Sequence, residues 1–189
     1  MLQPKLLKRV LSVLEENRID YMITGSLVSS MQGEPRASHD IDIVVNITPA
    51  SAPALIKAFP SSQYYLSEKS INEAIERKSM FNLLDTTEGD KIDFWMLADD
   101  AYDRSRFARK QEEVVFGTKM KISKPEDTIL MKLRWSKMSG GSEKQFTDAR
   151  MVYEVQYKKL DLDYMEHWVK ELKIEKSWKE LKKKARPIK

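Results

Sequence analysis

At 189 residues, 41% hydrophobic and 33% charged, the chain is long enough to close one substantial core with a small appended domain, and its apolar content excludes large-scale disorder. It has no cysteine and two histidines, His39 and His167, which excludes disulfides, zinc–thiolate sites, thiol catalysis and a histidine-built metal centre. Net charge is +4, yet residues 169–189 alone hold nine Lys/Arg against three Asp/Glu, so residues 1–168 carry −2 and the basic excess belongs to the C-terminal stretch.

Taken in chain order, residues 2–17 place Leu6, Leu7, Val10, Leu11 and Leu14 at helical spacing with Lys and Glu opposite, an amphipathic helix that packs by one stripe. It does not read as a signal peptide, and no run approaches the roughly 18 apolar residues of a membrane span. The expected address is the cytoplasm, without membrane contact. Residues 19–24 read as a first strand, 26–31 as a short helix, and Gly33-Glu34-Pro35-Arg36 as a turn cluster. Asp40-Ile41-Asp42-Ile43-Val44-Val45 then alternates polar and apolar residues before a purely apolar end, as a strand with one buried face does.

A helix is expected over 51–59, ended by Pro60-Ser61-Ser62, with a short strand at 64–66 and a helix at 70–77. Strands at 80–85 and 91–97 flank a turn at 86–90, most simply a hairpin. A basic helix at 101–109, carrying Arg104, Arg106 and Arg109 with Lys110 behind it, and a second hairpin at 112–116 and 119–122 are expected at the periphery. From Pro125-Glu126-Asp127 the character changes. Proline and acids in a first turn open a helix running over 128–137, Gly140-Gly141 breaks it, and three more helices follow at 142–156, 162–172 and 175–184. The division expected is 1–123 for a mixed α/β domain and 124–189 for a helical lobe. The basic C-terminal stretch either tracks a phosphate backbone or is a solvated helix face.

Chemistry concentrates between residues 21 and 46. On a strand, side chains at i and i+2 share a face roughly 7 Å apart, so Asp40 and Asp42 sit side by side. Two such carboxylates repel unless a cation lies between them, and oxygen-only ligands suit a hard ion such as Mg²⁺. Gly25-Ser26, where a strand turns into a helix, offers unpaired backbone N–H groups able to hold phosphate oxygens. Metal plus nucleoside triphosphate is the chemistry these two halves point to. Asp93, within Lys91-Ile92-Asp93-Phe94-Trp95-Met96, stands among apolar residues and is the candidate third carboxylate, with Asp85 as its rival and an exposed strand residue as the plain alternative. Arg36, just ahead of the Asp-bearing strand, is either a phosphate ligand or a turn residue. His39 either shapes the site or faces solvent from a loop.

The order Gly25-Ser26, a spacer over 27–39, then Asp40-x-Asp42 resembles the nucleotidyltransferase superfamily of the DNA polymerase beta type. The wording Arg36-x-Ser38-x-Asp40-Ile41-Asp42 and the longer spacer are most similar to the abortive-infection, AbiE-type, members. The resemblance covers about residues 21–96 well and the helical remainder loosely. It implies an α/β (α+β) fold with a mixed sheet flanked by helices and a helical C-terminal lobe, and a third strand-borne carboxylate beside D-x-D.

By the same resemblance Asp40, Asp42 and Asp93 hold two Mg²⁺ ions, Asp93 accepts the hydroxyl proton, and Gly25 and Ser26 hold the phosphates. Lys132 matches a lysine thought to contact the triphosphate, and Asp148 an aspartate near the acceptor or that lysine; the plain alternative for each is a solvent-facing helix residue. The implied activity is transfer of a nucleoside monophosphate from a triphosphate to an acceptor hydroxyl, such as the 3′ end of a tRNA or other RNA in toxin-type relatives, with a cognate antitoxin as partner. A small-molecule acceptor, as in aminoglycoside-modifying relatives, and a catalytically silent antitoxin or RNA-binding module are the competing readings.

Overall fold

The computed structural model describes residues 4–35, 40–115 and 117–188, with the side chains of Pro4 and Asp40 left aside. Arg36, Ser38 and His39, each singled out above, lie outside the described residues, as do Leu2 and Phe116 at the ends of two expected elements. The chain divides into two compact units: Met1–Thr24 with Ala37–Ile122, and Gly25–Arg36 with Ser123–Lys189.

The first unit contains strands β1 (Tyr21–Thr24), β2 (Asp40–Val45), β3 (Tyr64–Tyr65), β4 (Met80–Asp85), β5 (Lys91–Met96), β6 (Gln111–Val115) and β7 (Thr118–Ile122). Its helices are α1 (Pro4–Glu16), α3 (Ala52–Ala58), α4 (Glu68–Arg77) and α5 (Ala101–Ala108). The second holds α2 (Gly25–Gln32), α6 (Pro125–Met138), α7 (Glu143–Gln156), α8 (Leu162–Glu171) and α9 (Glu175–Lys184).

One mixed sheet organises the first unit, in the order β3-β4-β5-β2-β1-β7-β6. β2 lies antiparallel to β1 and parallel to β5, and β4 closes an antiparallel hairpin onto β5 as the sequence predicts. Central placement explains the apolar composition of β2 and β5: Ile41, Ile43, Val44, Val45, Ile92, Phe94 and Met96 are all buried, and Phe81 stacks on Phe94 with ring centroids 4.9 Å apart. Helix ends follow local chemistry. The Ser67 side chain accepts the Ser70 N–H to open α4, and Lys78, in a left-handed conformation, closes it.

Two expectations of peripheral placement are corrected. β7 runs parallel to β1 with Met120 and Ile122 buried, so of that hairpin only β6 is an edge strand. α5 is equally internal: Tyr102, Arg106 and Phe107 are buried, and Phe107 packs with Met22 and Val44. The basic look of this helix misleads because its charges find partners. Arg106 Nε donates to Asp103 Oδ1 at 2.6 Å, and Lys110 Nζ to Asp20 Oδ2 at 2.8 Å.

In the second unit, Pro125 takes the first helical position of α6 with Glu126 and Asp127 in the first turn, and Gly140 and Gly141, both at positive φ, separate α6 from α7. Ile129, Leu130, Leu133, Val152, Met165 and Leu181 are fully buried. α2 is fastened to these helices by backbone-directed bonds: Gln32 Nε2 donates to the Ser123 carbonyl and Gln156 Nε2 to the Gln32 carbonyl, each at 2.7 Å. The basic C-terminal stretch is not a loose tail. α9 buries Trp178 and Leu181 while Lys176, Lys179, Lys182 and Lys183 face solvent. No helix among the described residues is long and apolar enough to cross a membrane.

Candidate active site

Two constellations stand out, one in each unit. In the first, the β2–β5 register sets Asp42 directly beside Asp93, and Asp40 beside Lys91. Parallel partners point to the same face, on strands roughly 4.8 Å apart, so Asp42 and Asp93 crowd together in the middle of the sheet. Asp93 is 9% exposed, against the plain alternative of an exposed strand residue. Its Oδ2 takes Lys91 Nζ at 2.9 Å, while its Oδ1 is buried and has no hydrogen-bond partner among the described residues. Asp42 is half-buried and its Oδ1 accepts the Trp95 indole N–H at 3.0 Å. Lys91, Asp93 and Trp95 alternate along β5 and so share that face. Asp85 serves elsewhere: its Oδ1 accepts the Thr87 and Glu88 N–H groups and shapes the β4–β5 turn.

Hard-ion chemistry fits what is present. A carboxylate oxygen sealed from solvent without a donor is costly unless a cation meets it, and two adjacent carboxylates gain from one between them. Among the described residues no group of three or more His, Cys, Asp or Glu side chains is placed to hold a metal ion. Asp40 stands two positions before Asp42 on β2, but its side chain lies outside that description.

The second constellation gathers on α2. The chain enters this helix directly from Thr24 through Gly25, whose φ of +73° is a conformation glycine adopts at least cost. Lys132 Nζ lies 3.5 Å from Ser26 Oγ and 2.8 Å from Asp148 Oδ2, and Ser29 Oγ lies 3.4 Å from the same carboxylate oxygen. Lys132, Asp148 and Ser29 are buried, so neither Lys132 nor Asp148 is the solvent-facing residue that a helix position makes the plain expectation. An ammonium of this kind is held in place by its partner rather than by water. Ser29 was missed in the sequence; nothing in its short helix distinguishes it from Ser30.

The second unit also contains an open cavity of about 820 Å³ whose lining includes Lys137, Arg150, Lys173, Lys176 and Lys184. Glu143, Glu175, Glu180 and Phe146 share it.

No family model and no curated protein matches the chain. Solved structures do. ANT(2'')-Ia in complex with adenylyl-2''-tobramycin is similar at 14% identity, with 89% of this chain and 95% of that one covered and a TM-score of 0.57. The lincosamide antibiotic adenylyltransferase LnuA, lincomycin-bound, follows at 17% identity, 82% and 98% coverage and TM-score 0.53. An antigenic nucleotidyltransferase-like protein from Paracoccidioides brasiliensis gives 22% identity, 78% and 72% coverage and TM-score 0.50. The chain has the nucleotidyltransferase fold.

Proposed function

We propose that the chain is a Mg²⁺-dependent nucleotidyltransferase that moves a nucleoside monophosphate from a nucleoside triphosphate to an acceptor hydroxyl. The observation that carries this reading is the Asp42–Asp93 register with the buried Oδ1 of Asp93, which has no hydrogen-bond partner among the described residues. Asp40, Asp42 and Asp93 hold the ions, two by the resemblance. Bound there, Mg²⁺ supplies Lewis-acid activation of the attacking hydroxyl and charge neutralisation of the departing pyrophosphate.

The chain's own residues do the rest. Gly25 and Ser26 present N–H groups and a hydroxyl at the start of α2, where the helix dipole favours anions. Lys132, fixed by Asp148 at 2.8 Å, brings its ammonium within reach of Ser26 and adds positive charge for the phosphates. Asp93 takes the proton of the acceptor hydroxyl, and Arg36 is a further phosphate ligand in this reading.

For the acceptor we favour an RNA 3′ end, as in a toxin-type enzyme with a cognate antitoxin. The exposed lysines of α9 and the basic cavity beside them support a phosphate-bearing partner. A small-molecule hydroxyl is the second reading, supported by the similarity to the tobramycin and lincomycin enzymes over nearly their whole lengths.

Incubating the protein with α-labelled triphosphates, Mg²⁺ and either total RNA or a panel of aminoglycosides and lincosamides separates them. Label on RNA supports the first acceptor and label on the small molecules the second. No label on any acceptor and no release of pyrophosphate, under any nucleotide, rejects the enzyme and leaves the catalytically silent module. Asp42→Ala should abolish transfer while keeping the fold, because removing one of two crowded carboxylates relieves repulsion in the metal-free protein. Wild-type turnover in that variant would reject the metal role of Asp42.

A further inference from the structure

We propose that Lys91 is a tethered cation that competes with the divalent ion for Asp93 and so sets the metal concentration at which the site fills. The inference rests on the reading of Asp42 and Asp93 as metal ligands and adds a residue that the resemblance does not assign.

Asp42 and Asp93 are register partners on the two central strands, and Asp93 is 9% exposed. Metal-free, this arrangement places like charges side by side in a half-dry environment, which destabilises the sheet unless something neutralises them. β5 supplies both remedies from its own face. Two residues after Asp93, Trp95 donates to Asp42 Oδ1 at 3.0 Å; two residues before it, Lys91 places its ammonium 2.9 Å from Asp93 Oδ2. Trp95 brings a dipole and Lys91 a full charge, so Lys91 is the residue that stands where a metal ion's charge is needed.

The pair is asymmetric in a way that makes it displaceable. The Asp93 side chain is 12% exposed and fixed to a central strand, whereas the Lys91 side chain is 39% exposed, on a flexible four-carbon stem ending in a strongly hydrated group. When a divalent ion meets Asp93, the partner able to leave is the ammonium. Asp93 Oδ1, buried and without a hydrogen-bond partner among the described residues, marks a carboxylate that Lys91 satisfies at one oxygen only. Lys119–Glu112 is the contrast. It is just as short, at 2.6 Å, but both side chains are more than half exposed, so water screens both charges.

The test is a Mn²⁺ titration of the full chain without nucleotide, read by the EPR signal of free Mn²⁺, beside thermal unfolding in EDTA and in Mn²⁺. Lys91→Met removes the competitor and should tighten Mn²⁺ binding by about fivefold or more, in the range typical of coupled binding. It should also unfold at a lower temperature than wild type in EDTA and gain more from Mn²⁺. Lys91→Arg keeps the charge and grips a carboxylate through two N–H groups, so it should fold normally and weaken Mn²⁺ binding relative to wild type. In an Asp93→Asn background, Lys91→Met should leave the residual affinity unchanged. Equal Mn²⁺ affinity in wild type, Lys91→Met and Lys91→Arg overturns the inference, as does weaker binding by Lys91→Met. Nucleotide transfer does not enter this titration. A chain showing the predicted order of variants but moving no nucleotide keeps the inference and loses the transferase reading; transfer with variant-independent affinity does the reverse.

Discussion

The indole N–H of Trp95 holds one oxygen of Asp42 at 3.0 Å, and the rest of the ring packs against the Met22–Val44–Phe107 cluster. Packing therefore fixes the donor and the donor fixes the carboxylate. Trp95→Phe keeps most of the packing and deletes the donor. Hydrogen bonds to charged groups contribute roughly 1.5–3 kcal/mol to stability, so the melting temperature should fall by about 3–12 °C, and turnover measured well below it should fall because Asp42 loses its orienting donor. Steady-state kinetics beside thermal unfolding checks this, and unchanged turnover would mean that Asp42 needs no orientation from the ring.

Lys132 and Asp148 pose a different problem, since both side chains are under 10% exposed. Removing one partner of a buried pair leaves an uncompensated charge and costs about 3–5 kcal/mol. Lys132→Met should lower the urea midpoint accordingly, and Lys132→Met with Asp148→Leu should recover much of the loss. Of these residues, the sequence singles out Asp93 because a carboxylate amid strand-forming apolar residues contradicts its surroundings, and Asp42 because it shares a strand face with Asp40. The pairing of Lys132 with Asp148 is not, because it depends on how two different helices pack.

At the scale of elements, α2 is the part whose environment is least forgiving. Gly33 follows its last turn, and a Cβ there would lie 2.9 Å from the Val152 nitrogen, 3.0 Å from the Met151 carbonyl carbon and 3.1 Å from the Ser29 oxygen. All three are backbone atoms and cannot rotate away. Gly33→Ala should therefore destabilise the second unit by roughly 1–3 kcal/mol, the cost of overpacking, seen as a lower urea midpoint; an unchanged midpoint would show that α2 can shift on α7.

Helices and strands with strong local signals are legible from their residues, as with Pro125-Glu126-Asp127 opening α6 and the alternation in β2. α5 reads as peripheral in the sequence for a physical reason. Its buried residues are interleaved with charges that neutralise one another, Asp103 with Arg106 above all, so its composition resembles a solvated face. β7 misled in the same way: Thr118-Lys119-Met120-Lys121-Ile122 alternates like an edge strand, yet it pairs with β1 on one side and β6 on the other.

Across the molecule, strand order is what local sequence withholds. That β2 lies between β1 and β5, and that β2 and β5 run parallel in the register pairing Asp42 with Asp93, follows from long-range packing and from no pattern within either strand. The same holds for 25–36, which belongs to the compact unit of 123–189 through contacts distant in sequence.

Charge is a whole-molecule property too, and its excess in the last helix yields a prediction. If RNA is the acceptor, Lys173→Gln with Lys176→Gln, both lining the basic cavity, should weaken RNA binding and reduce the slope of log affinity against log salt by about 1.4–1.8, each lost phosphate contact counting roughly 0.7–0.9. An unchanged slope would place the RNA elsewhere or return these lysines to a solvated face.

The most direct test of the central claim is a crystal structure with a non-hydrolysable nucleoside triphosphate and Mg²⁺. The expected result is an ion bound at about 2.0–2.1 Å by oxygens of both Asp42 and Asp93, with the triphosphate on it. Nucleotide bound with Asp42 and Asp93 turned apart and no ion between them would contradict it.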